Sequence, residues 1–178
     1  MTPVYIFLIM MNFELRPWNL DDLSSLVEQA NNSRIARYMT DQFPHPYTPE
    51  NGRNFIYMAC GRNPQTIMAI AVDGKAVGGI GLHPQQDIYC RNAEMGYWLG
   101  EAYWGQGIMT RAIIEMIKYG FGLPGIDRIF ARPFATNLPS QKVLQKAGFV
   151  LEATLTKSIF KNGEFIDECI YSTRRPDV

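Results

Sequence analysis

Cysteine and histidine are scarce: the 178-residue chain has three cysteines and two histidines. Cys60, Cys90 and Cys169 stand far apart and no CxxC pair occurs. Such a set excludes a disulfide framework, and His45 and His83 add too few ligands for a structural zinc site, so no metal is expected. Charge of one sign is also lacking, with 17 basic against 17 acidic side chains and a pI near 6.7. That balance excludes a surface built to coat nucleic acid or anionic lipid, and neither partner is expected. Long apolar runs are missing too. The stretch at residues 4–11 is apolar but far too short to span a bilayer, and it lacks the basic start and A-x-A-like cleavage site of a signal peptide. Residues 1–10 are expected to be an apolar N-terminal extension with Met11 as the natural start, or alternatively an edge strand. Without a disulfide pattern, a reducing, cytoplasmic location is expected.

What is present is an ordinary globular composition, 47% hydrophobic and 19% charged. This excludes disorder and coiled coil, and the length predicts one domain over residues 11–178 that buries ~70% of its unfolded surface. Residues 13–17 read as a strand. Asn19 offers a helix cap, with Asp21 and Asp22 in the first turn and Leu23, Leu26, Val27 and Ala30 at helical spacing. A loop with Pro44, Pro46 and Pro49 follows, closed by Thr48 as N-cap, and a second helix runs to about Cys60. Residues 66–72 and 76–83 form a hairpin about Asp73-Gly74, and residues 93–99 a third strand. In that third strand Glu94, Gly96 and Trp98 share one face, while Met95, Tyr97 and Leu99 share the other. The clearest helix carries the stripe Met109, Ala112, Ile113, Met116, Ile117 and Gly120. A strand at 128–132, a helix at 140–147 ended by Gly148, and a hairpin of 149–157 with 165–172 about Asn162-Gly163 complete the chain. The order predicts an α/β (α+β) layer with a mixed, mostly antiparallel sheet of about seven strands and four flanking helices. Exposed edge strands admit a monomer or a homodimer.

Strand 93–99, the glycine-bearing loop 100–107 and the helix after it form one unit. Gly105 and Gly107 let backbone N–H groups approach a ligand, and a helix N-terminus adds unpaired N–H groups and a positive dipole. Together they suit a phosphate or diphosphate. Thr110 stands where a dinucleotide fingerprint needs glycine, and the G-K-[ST] ending of a P-loop is missing. A tight turn that merely opens a core helix fits the same residues.

The runs GYWLGEAYWGQGIMTRAI and ATNLPSQKVLQKAGFVLEATL strengthen the ligand-binding reading. Together they resemble the GNAT superfamily of acetyl-CoA-dependent N-acetyltransferases, closest to the ribosomal-protein N-terminal acetyltransferase branch. The resemblance implies a Q/R-x-x-G-x-G/A loop that holds the CoA diphosphate. Here that loop reads Trp104, Gly105, Gln106, Gly107, Ile108, Met109, so Trp104 and Met109 depart from the pattern. The resemblance further implies a splayed strand pair, with pantetheine against the backbone near Trp98 and Leu99. Residues 105–110, ending in Thr110, would surround the phosphates with Arg111 nearby. Asn137 and Ser140 would contact pantetheine or the thioester sulfur, although helix capping explains both equally.

The activity implied is transfer of acetyl from acetyl-CoA to a primary amine, on a protein N-terminus or a small molecule, by direct attack through a tetrahedral intermediate. Glu94, on the splayed strand, is the candidate general base, or else a solvated or paired carboxylate. A backbone N–H near Trp98 or Leu99 is the candidate oxyanion donor. Many relatives carry a tyrosine as acid where this chain has Leu144, and Ser140 is the candidate substitute. A covalent route through Cys169 is disfavoured, because a lone strand thiol is usually inert. Asp167 and Glu168 could bind a cationic amine instead. The loop with His45 and Tyr47 reads as a wall of the acceptor pocket or as packing. The missing tyrosine also leaves open a non-catalytic acyl-CoA-binding regulatory module.

Overall fold

The computed structural model describes residues 11–176. The expected extension over residues 1–10 lies outside them. Strand β1, Glu14–Pro17, leads through a 3-10 turn at Leu20–Asp22 into α1, Leu23–Ala30. The Asp22 carboxylate closes that turn by accepting from the Asn19 N–H at 3.0 Å and binds Arg16 in a two-pronged pair at 2.7 and 2.8 Å. Helix α2, Ser33–Ala36, is a single turn capped by Asn32, whose Oδ1 accepts from the Arg34 N–H at 2.8 Å. It makes five helices among the described residues where four were expected, because one turn is too short to show a period. Helix α3, Pro49–Cys60, starts as its residues dictate, with a Thr48–Asn51 capping box and proline at the first position.

The remaining strands are β2 Ile67–Val72, β3 Lys75–Pro84, β4 Asn92–Leu99, β5 Arg128–Ala131, β6 Val150–Lys161 and β7 Glu164–Arg174. Helix α4, Ile108–Gly122, joins β4 to β5, and α5, Leu138–Lys146, joins β5 to β6. The seven strands form one sheet in the order β1-β2-β3-β4-β5-β7-β6. Every neighbouring pair is antiparallel except β4 and β5, which are joined by the α4 crossover and run parallel. The last hairpin is longer than expected, with pairing that reaches Lys161 opposite Glu164. Its outer strand is exposed and polar at many positions, which blurs the alternation at its far end.

The two faces of the sheet bury different cores. Odd positions of β4, Met95 and Leu99, pack with Ile108, Met116 and Leu144 on the α4–α5 side. The even position Trp98 packs with Trp18, Leu26 and Ile56 on the α1–α3 side. Between β3 and β4 the backbones approach closely: a Cβ at Gly78 would lie 2.6 Å from the Trp98 carbonyl oxygen, so only glycine fits there. Among the described residues, no helix is long and apolar enough to cross a membrane.

Candidate active site

Strand β4 pairs with β3 over nearly its whole length, from Ala93 opposite Pro84 to Leu99 opposite Gly78. With β5 it pairs only at Asn92, Ala93 and Glu94. Past Glu94 the edge of β4 is free, which is the expected splay. The register decides which groups face the opening. Gly100 donates to the Val77 carbonyl at 2.7 Å, and Gln85 donates to the Asn92 carbonyl at 2.9 Å. Antiparallel alternation then gives the N–H and C=O of each even residue of β4 to β3. Trp98 therefore bonds Gly79 through its backbone, and Tyr97 and Leu99 present theirs to the cleft. The backbone of Trp98, expected to meet the ligand, is thus spent on β3, while that of Leu99 lies on the cleft side. The Trp98 indole is buried and meets the Phe43 ring edge-on, centroids 5.8 Å apart.

Trp104 has a role its alignment does not suggest. Its indole N–H donates to the Leu99 carbonyl at 2.7 Å, and the Arg34 guanidinium lies over its ring at 5.4 Å. Arg34 pairs with Glu101, which also accepts from the Asn32 amide at 2.7 Å. The loop is thus fastened to the strand end and to the α1–α2 turn. Gly105 and Gly107 both lie in the left-handed region, φ +75° and +73°, which a glycine adopts without strain. Gly107 caps α4 with no side-chain bond, and the Arg111 N–H is the first to turn back, to the Gly107 carbonyl at 3.2 Å. The N–H groups of Ile108, Met109 and Thr110 therefore remain open, with the helix dipole behind them. Ile108 and Met109 bury their side chains in the core, so each offers backbone alone. Gln106 folds its amide back onto the Ala102 carbonyl at 2.9 Å. Arg111, expected near the phosphates, donates to the Met11 carbonyl and lies over the Phe13 ring.

Across the opening, the Asn137 side chain accepts from the Ser140 N–H at 3.2 Å, so the capping role is realised. Ser140 Oγ sits 2.8 Å from the Tyr97 hydroxyl. Leu144 is fully buried.

Glu94 occupies the position where the sheet divides and points to the α1–α3 face, opposite the face of Tyr97. It is half-buried and makes no ion pair among the described residues. Burial raises its pKa; Arg132 pulls the other way and Glu168 adds to the rise. Arg132, just past β5, binds the buried Glu168 at 2.7 Å. His83 stands directly opposite Glu94 on β3, and a Cβ at Gly96 would lie 3.7 Å from its Nε2. Its pKa is lowered by desolvation and by the Arg62 cation. Asp167 accepts from the Lys157 N–H at 2.8 Å, and so is tied to the hairpin. Cys169 is buried core. Tyr47 packs against Phe43 at 5.1 Å, and burial pushes its phenol up to about 12. Its loop and α3 bound a cleft of about 310 Å³ lined by Asp41, Phe43, Tyr47, Asn54 and Phe55. His45 is exposed. Tyr47 and Phe43 thus pack on each other and both line this cleft. His83 and Tyr97 went unmarked as functional in the sequence, since only the register reveals their neighbours.

The donor set fits an extended ligand with a diphosphate at one end: three open helix N–H groups, then a free strand edge able to pair with amides. Among the described residues, no group of three or more His, Cys, Asp or Glu side chains is placed to hold a metal ion.

Comparison with known proteins bears on the same segment. The chain is 34% identical over 100 residues to an uncharacterized N-acetyltransferase, YoaA, of Bacillus subtilis, 56% of either chain. It is 32% identical over 82 residues to the ribosomal-protein-serine acetyltransferase of Escherichia coli, 46% of each. The chain thus spans about half the length of these curated relatives. The structure of the microcin C7 self immunity acetyltransferase MccE, in complex with acetyl-CoA and AMP, superposes with TM-score 0.78 at 25% identity over 92% of both chains. The family model described as an acetyltransferase (GNAT) domain matches residues 12–150, and with most of its length so matched the chain belongs to the GNAT acetyltransferase family.

Proposed function

We propose that the protein is an N-acetyltransferase that moves the acetyl group of acetyl-CoA to a primary amine. The observation that carries this reading is the coincidence at one point of a strand edge freed past Glu94 and an uncapped α4 N-terminus at the end of the following loop. Acetyl-CoA, when bound, supplies an activated acyl group. The N–H groups of residues 105–110 hold the diphosphate, and the Leu99 N–H and the Tyr97 N–H and C=O pair with the pantetheine arm. Asn137 and Ser140 close the other side of the cleft.

The amine attacks the thioester carbon directly and passes through a tetrahedral intermediate. The Tyr97 or Leu99 N–H, fixed in the sheet before reaction begins, stabilises the developing oxyanion. Glu94 takes the amine's proton from the α1–α3 face. Its raised pKa brings it closer to that of the group it must deprotonate, and Arg132 neutralises Glu168 so that Glu94 is the carboxylate left available. The acceptor is a protein N-terminus or a small amine, in line with the acetyltransferases to which the chain is similar.

The test is calorimetry with CoA, followed by release of free thiol from acetyl-CoA across a panel of peptides and small amines. Binding with acceptor-dependent thiol release supports the reading. Binding without release on any acceptor would favour a regulatory acyl-CoA-binding module instead.

A further inference from the structure

The Tyr97–Ser140 contact joins the two halves that the splay separates. Tyr97 belongs to β4 and its side chain points to the α4–α5 face, while Ser140 stands in the first turn of α5. Their hydroxyl oxygens are 2.8 Å apart, and the Ser140 carbonyl oxygen lies 3.4 Å from the phenol. Every nearby acceptor for the Tyr97 proton is thus on Ser140. A phenol is a far stronger acid than an alkyl hydroxyl, and its contact with Ser140 Oγ is shorter than that with the carbonyl, which favours the phenol as donor and the serine oxygen as acceptor. That leaves the serine proton unassigned within the protein. Ser140 is only partly buried, and one turn later α5 offers Leu144, which is fully buried and has no proton to give. The same α5 turn is pinned by Asn137, so the serine cannot rotate its backbone away.

We infer that Tyr97 is a positioning residue that fixes the polarity of the Ser140 hydroxyl, so that Ser140 donates its hydrogen bond to the sulfur of CoA. The inference rests on the acetyl-CoA reading above. In the transfer, the carbon–sulfur bond breaks and its electron pair stays on sulfur. The resulting thiolate is held by the Ser140 O–H, which is strengthened by the O–H of Tyr97 behind it, and takes its final proton from water as CoA leaves. Burial raises the Tyr97 pKa and the bond to Ser140 opposes the rise; no charged group contributes, so the phenol stays protonated and remains a donor throughout the working range.

The test needs no acceptor amine. The thiolate absorbance of CoA is titrated with pH, free and bound to the full chain, for the wild type, Tyr97→Phe and Ser140→Ala. The thiol of bound CoA should ionise at lower pH than that of free CoA. Tyr97→Phe should raise its pKa by about one unit, tenfold in the acid constant, and Ser140→Ala should remove the depression. Both variants should bind CoA by calorimetry and melt as cooperatively as the wild type. A bound-CoA titration unchanged by Tyr97→Phe would overturn the inference while leaving the acetyl-CoA reading intact. Failure of the wild type to bind CoA would overturn both.

Discussion

Replacing Gly107 separates the two properties that the α4 N-terminus combines. At φ +73° the residue is left-handed, and nothing lies within 4 Å of where a Cβ would stand. Gly107→Ala therefore meets no steric wall and introduces only left-handed strain, ~1–2 kcal/mol. If the loop keeps its shape, that strain is present with and without ligand. Stability falls by the same amount, a loss of about 2–8 °C in Tm for a chain of this size, and CoA affinity changes little. Gly107→Asp behaves differently. A carboxylate beside open N–H groups is favourable to the helix dipole by ~0.3–1 kcal/mol, and aspartate tolerates the left-handed region better than alanine, so Tm should stand above that of the alanine variant. Against a diphosphate the same charge is repulsive. At ~5–6 Å and an effective dielectric of ~20, each pair of unit charges costs about 3 kcal/mol, so CoA affinity should fall more than about a hundredfold. Thermal melts and calorimetry with CoA measure the two quantities on the same samples. Gly107→Asp binding CoA within about tenfold of wild type would refute the placement of the diphosphate at this helix end.

Glu94→Gln should cut turnover severely and leave CoA affinity unchanged. The wild-type rate should fall as pH drops through the raised carboxyl pKa of Glu94, and the variant's pH–rate profile should lack that limb. Because burial disfavours the charged form, the carboxyl stabilises the fold at low pH and loses that contribution as pH rises through its folded pKa. A melt of Glu94→Gln near pH 7 should therefore show no loss of Tm. Trp104→Phe removes the indole donor to Leu99, about 1 kcal/mol, and should weaken CoA binding about fivefold by calorimetry as the loop loosens from the strand. Leu144→Ala leaves a cavity in the core, and chemical denaturation should show it less stable by about 2–5 kcal/mol.

Much of this fold was legible because local signals agreed. Thr48 and Pro49 mark the start of α3 by cap chemistry alone, and the stripe from Met109 to Gly120 has a period only a helix satisfies. Asp73-Gly74 and Asn162-Gly163 turn the chain with residues that accept positive φ, as all four do. The glycine loop was legible for the same reason: it needs left-handed backbone at Gly105 and Gly107, and only a few residue types supply it. The one-turn helix α2 escaped notice because four residues carry no period, and its anchor is the distant Glu101, which Arg34 and Asn32 reach across more than sixty positions of sequence.

The site itself turns on a quantity that no single strand contains. Alternation along β4 puts Glu94 and Trp98 on one face and Tyr97 on the other, but says nothing about which edge each backbone group uses. That edge is set by the phase of β4 against β3, fixed where Gly100 meets Val77 and Gln85 meets Asn92. Slip the pairing by one residue and Trp98 would face the cleft while Tyr97 bonded β3. Hence a sequence reading can name the strand and its residues, yet leave open by one which backbone faces the open edge. Alternation along β4, whatever its phase, puts the candidate base and the serine–tyrosine pair on opposite faces of one strand. On the function proposed above, an amine arriving from the α1–α3 side and a thiolate departing on the α4–α5 side would then not compete for the same group, and the strand edge between them would carry the carbonyl that both must reach.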